Sequence, residues 1–348
     1  MRIADFDYEL PMDLIAQHPL AQRDAARMLV LDRAAQTFSD NQFAEISSYL
    51  RAGDTLVVNN TRVFPARLMG TRAKTGGRVE LFLVGELEKQ VWAVLTRPAR
   101  KLKTGTHINF SGQRLRAEIL ERLPDGQRIV RFECDEDFDA LLEEIGQTPL
   151  PPYIKRDEKD VSLDDRERYQ TVYARARGAI AAPTAGLHFT PRVMDEIKAR
   201  DVNIVEITLH VGYGTFAPVH VDDLSEHKVA PERFEITDEA AHLINETRAG
   251  RKGRIIAVGT TTVRALEAAV DISSDAIKSG ARTTDLTITP NYHFRVVDAL
   301  LTNFHLPRSS LLVLVSAFAG HDLTLAAYQH AVQARYRFYS YGDCMLIV

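Results

Sequence analysis

Cysteine is scarce in this chain: Cys134 and Cys344 are its only two among 348 residues. That number excludes a disulfide framework, and the pair has no metal-binding or redox spacing. A reducing compartment is the simplest setting, so a cytoplasmic location is expected. Long apolar runs are also missing. The longest candidate, Ser310 to Gly320, falls far short of the ~20 residues that span a bilayer, so no membrane partner is expected. The start, Met1-Arg2-Ile3-Ala4-Asp5-Phe6-Asp7, enters charge at once and does not read as a secretory signal. No HExxH or CxxC spacing supports a metal, and none is expected. GxSxG is absent, which removes the usual hydrolase nucleophile. A Walker A loop is absent as well. Gly212-Tyr213-Gly214-Thr215-Phe216 is half of a dinucleotide fingerprint, without its third glycine and with Pro218 blocking a helix soon after. A nicotinamide site is therefore excluded. There is no internal repeat and no low-complexity tract.

What is present is a composition of 45% hydrophobic and 26% charged residues, as in a soluble globular protein with a sizeable core. Five apolar runs end in small polar clusters. They are Leu56-Val57-Val58 before Asn59-Asn60-Thr61, Ile180-Ala181-Ala182 before Pro183-Thr184, Ile207-Thr208-Leu209 before His210, Ile255–Val258 before Gly259-Thr260-Thr261, and Ala299-Leu300-Leu301 before Thr302-Asn303-Phe304-His305. Short, continuously apolar runs are the pattern of strands covered on both faces. Open α/β sheets bind ligands beyond the carboxyl ends of such strands. Any one cluster is explained by ordinary turn chemistry. All five together point to one shared site.

Residues 64 to 150 have a different texture. Runs such as Arg78–Val84, Val91–Leu95, His107–Phe110 and Arg128–Phe132 are separated by turns such as Thr75-Gly76-Gly77, Lys103-Thr104-Gly105 and Pro124-Asp125-Gly126. That spacing predicts an antiparallel barrel or sandwich, followed by one short helix over Asp137–Ile145. From about residue 166 strands alternate with helices. Helices are predicted over Arg192–Arg200 (capped by Thr190 with Pro191 first), from Thr237-Asp238 to Arg248, from Gly259 through Ala269, from Ser309-Ser310, and over Leu325–Arg335. A final strand is expected over Cys344–Val348. The fold class is therefore α/β: a mostly parallel sheet sandwiched by helices, with a small antiparallel β-barrel inserted. The expected division is 1–63 with 156–348 as the α/β domain and 64–155 as the insert. Asp157–Arg168 is charge-dense and reads as a surface loop.

Net charge is −4, unevenly spread: Arg62–Arg131 holds fifteen basic and six acidic residues, and Glu133–Glu144 seven acidic and no basic ones. A basic segment on an acidic chain suggests a polyanion partner. Pairing between the two stretches within one fold is the alternative. Arg97, Arg100, Lys101 and Lys103 crowd into seven residues beside Pro98 and suit a nucleic-acid backbone. Gly259–Arg264 sits where a strand meets a helix, where free amides hold a carboxylate or phosphate. His188, His210 and His305 stand at the polar ends and offer acid–base chemistry near neutral pH.

Several long strings then resemble one family: Asn59-Asn60-Thr61-Arg62-Val63-Phe64-Pro65-Ala66-Arg67-Leu68, Ala182–Thr190, Leu209–Phe216, Thr302–Pro307 and Tyr336–Asp343. They are similar to the S-adenosylmethionine:tRNA ribosyltransferase-isomerases of queuosine biosynthesis, in the same order and along the whole chain. The resemblance implies transfer and isomerisation of the ribosyl group of S-adenosylmethionine onto 7-aminomethyl-7-deazaguanine at the tRNA wobble position. Epoxyqueuosine-tRNA forms, and adenine and methionine leave. S-adenosylmethionine is then a consumed substrate and no cofactor is expected. The partners are tRNA carrying the deazaguanine precursor and S-adenosylmethionine, with a monomer expected. The matched strings nominate His188, His210, His305 and Asp343 as acid or base. For substrate binding they nominate Asn59, Asn60, Arg62, Pro183, Thr184, Gly186, Phe189, Gly212, Tyr213, Gly214, Thr215, Thr260, Thr261, Arg264, Asn303 and Tyr341. Phe189, Tyr213, Phe216 and Phe304 are candidate faces for the sulfonium. The chain departs from the family pattern at Ala230, where His is usual, at Asn291, where Gly is usual, and at Ala99, also a usual Gly. A non-catalytic RNA-binding protein would use the basic insert but not the polar strand ends. An S-adenosylmethionine-dependent methyltransferase would need a glycine-rich loop after its first strand, which is missing.

Overall fold

The structure, a computed structural model, describes residues 1–156, 163–212, 221–250 and 253–348. The chain forms two compact units. One comprises Met1–Arg62, Pro152–Lys155 and Gln170–Val348; the other comprises Val63–Pro151 and Arg156–Tyr169.

The first unit is built on a nine-stranded sheet. Its strands are β1 (Arg27–Asp32), β2 (Thr37–Gln42), β3 (Thr55–Asn59), β4 (Asn203–Leu209), β5 (Glu232–Ile236), β6 (Ile255–Val258), β7 (Gly280–Thr284), β8 (Ala299–Asn303) and β9 (Cys344–Ile347). They lie in the order β7-β5-β4-β3-β6-β8-β9-β1-β2. The four central strands β4, β3, β6 and β8 are mutually parallel. β3, β6, β8 and β9 are buried at every position, which is why they read as unbroken apolar runs. The flanks differ from the simple alternation expected. β9 runs antiparallel to β8 and parallel to β1, while β2, β5 and β7 pair antiparallel. The sheet is therefore mixed. A four-residue turn joins β1 to β2, a connection that only antiparallel neighbours permit.

Helices α1 (Pro191–Lys198), α2 (Asp238–Gly250), α3 (Thr260–Ala269), α4 (Ser310–Ala319) and α5 (His321–Gln333) accompany the sheet. Their starts follow the capping rules. The hydroxyls of Thr190, Thr237 and Ser309 accept the amides of Val193, Ala240 and Leu312 at 3.3, 3.2 and 3.2 Å. α5 begins four residues before its sequence prediction. Among the described residues no single helix is long and apolar enough to cross a membrane; α4 and α5 are separated by a 117° bend at Gly320.

One of the five apolar runs is not a strand. Ile180–Ala182 is irregular and leads into a 3-10 turn, Thr184–His188. Pro183 withholds the donor a ladder needs, and the Ile180 amide goes instead to the Val211 carbonyl at 3.1 Å. The core on one side of the sheet joins Leu56, Val58, Ile256, Val258, Leu301 and Leu346 to Phe43, Phe189, Val193 and Ile197.

The second unit is a closed six-stranded barrel. Its order is Arg128–Glu133, Val91–Arg97, Arg78–Glu88, Arg67–Arg72, His107–Phe110, Leu115–Arg122, with every neighbour antiparallel. Leu68, Leu81, Val94, Ile108, Ile119 and Val130 alternate inward to fill it. The helix Phe138–Ile145 follows, with the Asp137 carboxylate accepting the Ala140 amide at 2.8 Å. Arg156–Tyr169, assigned by sequence to the α/β domain, clusters with the barrel unit. Of the expected charged loop, 157–162 lie outside the described residues, and Leu163–Arg168 is helical, with Arg166 paired to Glu143.

Two sequence departures have a local explanation. Asn291 sits at φ +74°, in the turn closed by Tyr292 N–H to Thr289 O at 3.1 Å. Asparagine is among the few residues that tolerate that region in place of glycine. Residue 99 lies in the 3-10 turn Ala99–Lys101 and has no positive φ, so alanine fits there.

Candidate active site

Because β3, β4, β6 and β8 are parallel, their carboxyl ends emerge on the same edge of the sheet. β9 is antiparallel to β8, so Asp343 and Cys344 arrive there too, Cys344 opposite Asn303. A cleft opens at this edge, lined by Ala182, Pro183, Thr184, Ala185, Val211, Gly259, Thr260, Thr261, Thr302, Asn303, His305, Leu311, Tyr339 and Ser340. Three of the five polar clusters thus meet, together with the residue after His210. No Lys, Arg, Asp or Glu belongs to these lining residues.

Each lining group is set by a local device. Gly259 adopts φ +89° to turn the end of β6 into α3, and the Thr262 hydroxyl donates to the Val258 carbonyl at 2.7 Å. That turn presents Thr260, Thr261 and the positive end of α3 to the cleft. Asn303 is a hub: its Oδ1 accepts the Thr184 hydroxyl at 2.9 Å, and its amide faces His188 Nε2 at 3.2 Å. Since the Asn303 amide donates, His188 Nε2 accepts and the ring is neutral. Burial, with the charge of Arg337, pushes the His188 pKa down to about 4. His305 lines the cleft, with Nε2 at 3.0 Å from the Thr302 hydroxyl, and burial pushes its pKa down to about 3. Tyr339 holds φ +73°, rare for a bulky side chain. Its amide donates to Phe304 O at 3.0 Å, and its ring meets that of Tyr153 edge-on at 4.0 Å.

Other expected site residues lie elsewhere. Asn59 is spent on the fold: Oδ1 accepts the Leu209 and Thr61 amides at 3.0 and 3.1 Å, and Nδ2 donates to Leu209 O at 2.9 Å. Asn60 turns the opposite way, to Glu206 and Thr208 at 2.9 and 2.7 Å, in a separate groove. Arg62 is exposed and does not line the cleft. Phe189 and Phe304 are core aromatics, packed on Phe43 and on Tyr328 and Phe338 respectively, so neither offers a face to a ligand. Gly186 packs against the Tyr173 hydroxyl, and Tyr341 is buried away from the cleft lining. Gly212 donates to Glu232 Oε1 at 3.1 Å. Tyr213, Gly214, Thr215 and Phe216 lie outside the described residues.

Asp343 is not free to act as a base. Its Oδ1 accepts the Arg27 amide at 2.9 Å and its Oδ2 the Arg337 amide at 2.8 Å, with Arg27 Nε at 3.5 Å. It staples β9 to β1. His210 is half-buried, and burial and the nearby Arg233 charge lower its pKa. Its Nδ1 lies 2.9 Å from the Thr61 hydroxyl, which itself donates to Ala176 O at 3.3 Å. Nδ1 therefore carries the proton and Nε2 is left as an acceptor. A Cβ on Gly178 would stand 2.6 Å from the His210 ring, so this glycine seats it. Arg264 does not line this cleft but a second cavity that shares Leu311 with it.

On the barrel unit, Arg97, Arg100, Lys101 and Lys103 are exposed, and none pairs with a carboxylate among the described residues. Buried Arg128 holds their loop from within, donating to Leu102 O at 3.1 Å, Thr96 Oγ1 at 2.7 Å and Ala99 O. The acidic stretch is partly neutralised by a different residue, Arg114, which pairs with Glu136 at 2.7 Å and with Glu144. Internal pairing therefore leaves the 97–103 cluster uncompensated.

A family model described as queuosine biosynthesis protein matches residues 3–347. The chain belongs to this family. It is 50% identical over 350 residues to the S-adenosylmethionine:tRNA ribosyltransferase-isomerase of Syntrophotalea carbinolica, covering 100% of both chains. It also resembles the crystal structure of an S-adenosylmethionine tRNA ribosyltransferase from Thermotoga maritima, with a TM-score of 0.55 and 39% identity over 99% of this chain and 100% of that one. Cleft residues that sequence reasoning passed over include Tyr339, Ser340 and Leu311. The first two lie inside a matched string; Leu311 carried no signal beyond its place in an apolar helix. Ala230 lines the second cavity.

Proposed function

We propose that the protein transfers and isomerises the ribosyl group of S-adenosylmethionine onto 7-aminomethyl-7-deazaguanine at the wobble position of tRNA, releasing adenine and methionine. Full-length identity of 50% to an enzyme of that name supports the reading. The observation that carries it is the cleft itself: free of charged side chains among its described lining residues, lined by the hydroxyl and amide groups of Thr184, Thr260, Thr261 and Asn303, with His305 in its wall and His188 behind Asn303, both kept neutral by burial. A cationic sulfonium meets no repelling charge there, and the Tyr339 side chain stands at the wall as an aromatic partner.

The chemistry needs a base for the ribose carbon that the sulfonium acidifies, a neutral attacking amine, and a proton for departing adenine. His305, pushed to about 3, is too weakly basic to take that proton at neutral pH; it serves as a neutral hydrogen-bonding group. His210 is only half-buried and keeps Nε2 unprotonated, but its neighbour Val211 lines the cleft in its place, so no lining side chain is assigned as the proton acceptor. Thr184, Thr260, Thr261 and Asn303 supply hydroxyl and amide groups for the ribose and adenine. The exposed Arg97–Lys103 cluster holds tRNA phosphates. The protein works in the cytoplasm as a monomer.

The test is incubation with S-adenosylmethionine and precursor-bearing tRNA. Free adenine, free methionine and a heavier anticodon nucleoside are expected. Release of S-adenosylhomocysteine instead would mark a methyltransferase and end the proposal, as would the absence of any new nucleoside.

A further inference from the structure

A second cavity has His227, Glu232, Arg264 and Leu311 among its lining residues. Leu311 of α4 lines both cavities, so they adjoin at this residue. Arg264 is 94% buried there, its own relative exposure being 6%. Its Nη1 pairs with Glu232 Oε2 at 2.5 Å and its Nε donates to Leu286 O at 3.0 Å. Its Nη2 is buried and has no hydrogen-bond partner, and the same is true of His227 Nε2. A guanidinium donor left dry and unpaired is costly, and native proteins rarely keep one without a use.

We infer that this cavity takes the zwitterionic amino-acid end of S-adenosylmethionine, with the carboxylate on Arg264 Nη2 and the ammonium toward Glu232. The inference rests on the function proposed above and extends it to a part of the substrate that the first cleft does not match. The pairing is one of charge: a buried cation and anion side by side face a ligand group that is itself a cation and anion side by side. Planar guanidinium geometry suits a carboxylate. Leu286, Ile288, Val313 and Leu314 give the apolar wall that the methylene chain needs. α3 links the two sites, since it offers Thr260 and Thr261 to the first cavity and Arg264, one turn on, to the second.

The test uses two ligands on the native protein: S-adenosylmethionine and its decarboxylated analogue, S-adenosyl-3-methylthiopropylamine. Both keep the sulfonium, ribose and adenine. Titration calorimetry should show the analogue binding at least tenfold more weakly. Arg264→Lys and Arg264→Gln, checked for folding by thermal unfolding, should lose that discrimination by weakening S-adenosylmethionine alone. Equal binding of the two ligands by native protein overturns the inference and leaves the proposed function standing. Discrimination that survives in a folded Arg264→Gln also overturns it. If native protein binds neither ligand, the proposed function falls and this inference with it.

Discussion

Asp343 belongs to one of the matched strings, yet its geometry makes it a staple, and Asp343→Asn separates the two roles. Both carboxylate oxygens accept backbone amides, from Arg27 and Arg337, at 2.9 and 2.8 Å. A charge-assisted bond of this kind contributes about 1.5–3 kcal/mol, and a buried amide left without an acceptor costs about 1–3 kcal/mol. Asparagine keeps one acceptor and turns an NH2 toward the other amide. The expected destabilisation is therefore about 2–4 kcal/mol, including the weakened contact to half-exposed Arg27. For a unit of this size that is a fall of roughly 5–10 °C in the unfolding temperature of the sheet unit. Turnover per folded molecule, measured at 20 °C as adenine release, should stay within about threefold of native. A variant that melts with the native protein but turns over more than about a hundredfold slower, the loss expected for an absent general base, would refute the staple and restore Asp343 to the chemistry.

Three further outcomes follow from the same geometry. His188 and His305 fold with pKa values pushed down to about 4 and about 3, so the unfolded chain binds more protons and stability falls as pH drops from the ordinary 6.5 toward those values. Urea unfolding at pH 7 and pH 5 should differ by about 2 kcal/mol per histidine; His305→Gln should remove about half of that difference, and an unchanged difference would contradict the burial argument. Replacing Arg97, Arg100, Lys101 and Lys103 by Gln should lower the slope of log affinity for tRNA against log salt by about 3, with stability untouched, because each lost phosphate contact removes about 0.7–0.9; an unchanged slope places the tRNA elsewhere. Asn291→Ala should destabilise by about 1 kcal/mol and Asn291→Gly by nothing or less, since alanine keeps the β-carbon but loses the short amide that lets asparagine tolerate a left-handed turn, whereas glycine has no β-carbon to strain; equal melting of the two would mean that the turn does not set the strain.

How much of this was legible in the sequence depends on the scale of the feature. The buried runs before Asn59, Gly259 and Thr302 named three strands and the edge of the sheet where the site lies, because burial on both faces leaves a direct compositional trace. β1 left the same trace, four apolar residues between Arg27 and Asp32, and went unread because no polar cluster follows it. Barrel strands Arg67–Arg72 and Leu115–Arg122 were missed because charged residues alternate with their inward ones. Within the site the limit is physical: strings fix where along the chain a residue stands, not which way it points. Successive residues of an extended chain face opposite sides. That single step sends Asn59 into the sheet and Asn60 to another groove, and it gives the cleft Val211 where His210 was expected. Tyr339 escapes for a related reason. Its place in the cleft comes from a left-handed backbone turn held by the Phe304 carbonyl, 35 residues earlier in the chain, and no spacing of residue types encodes such a partner. Sequence motifs therefore locate this site to within one turn of chain, and the direction each side chain takes from there is a property of the tertiary hydrogen bonds alone.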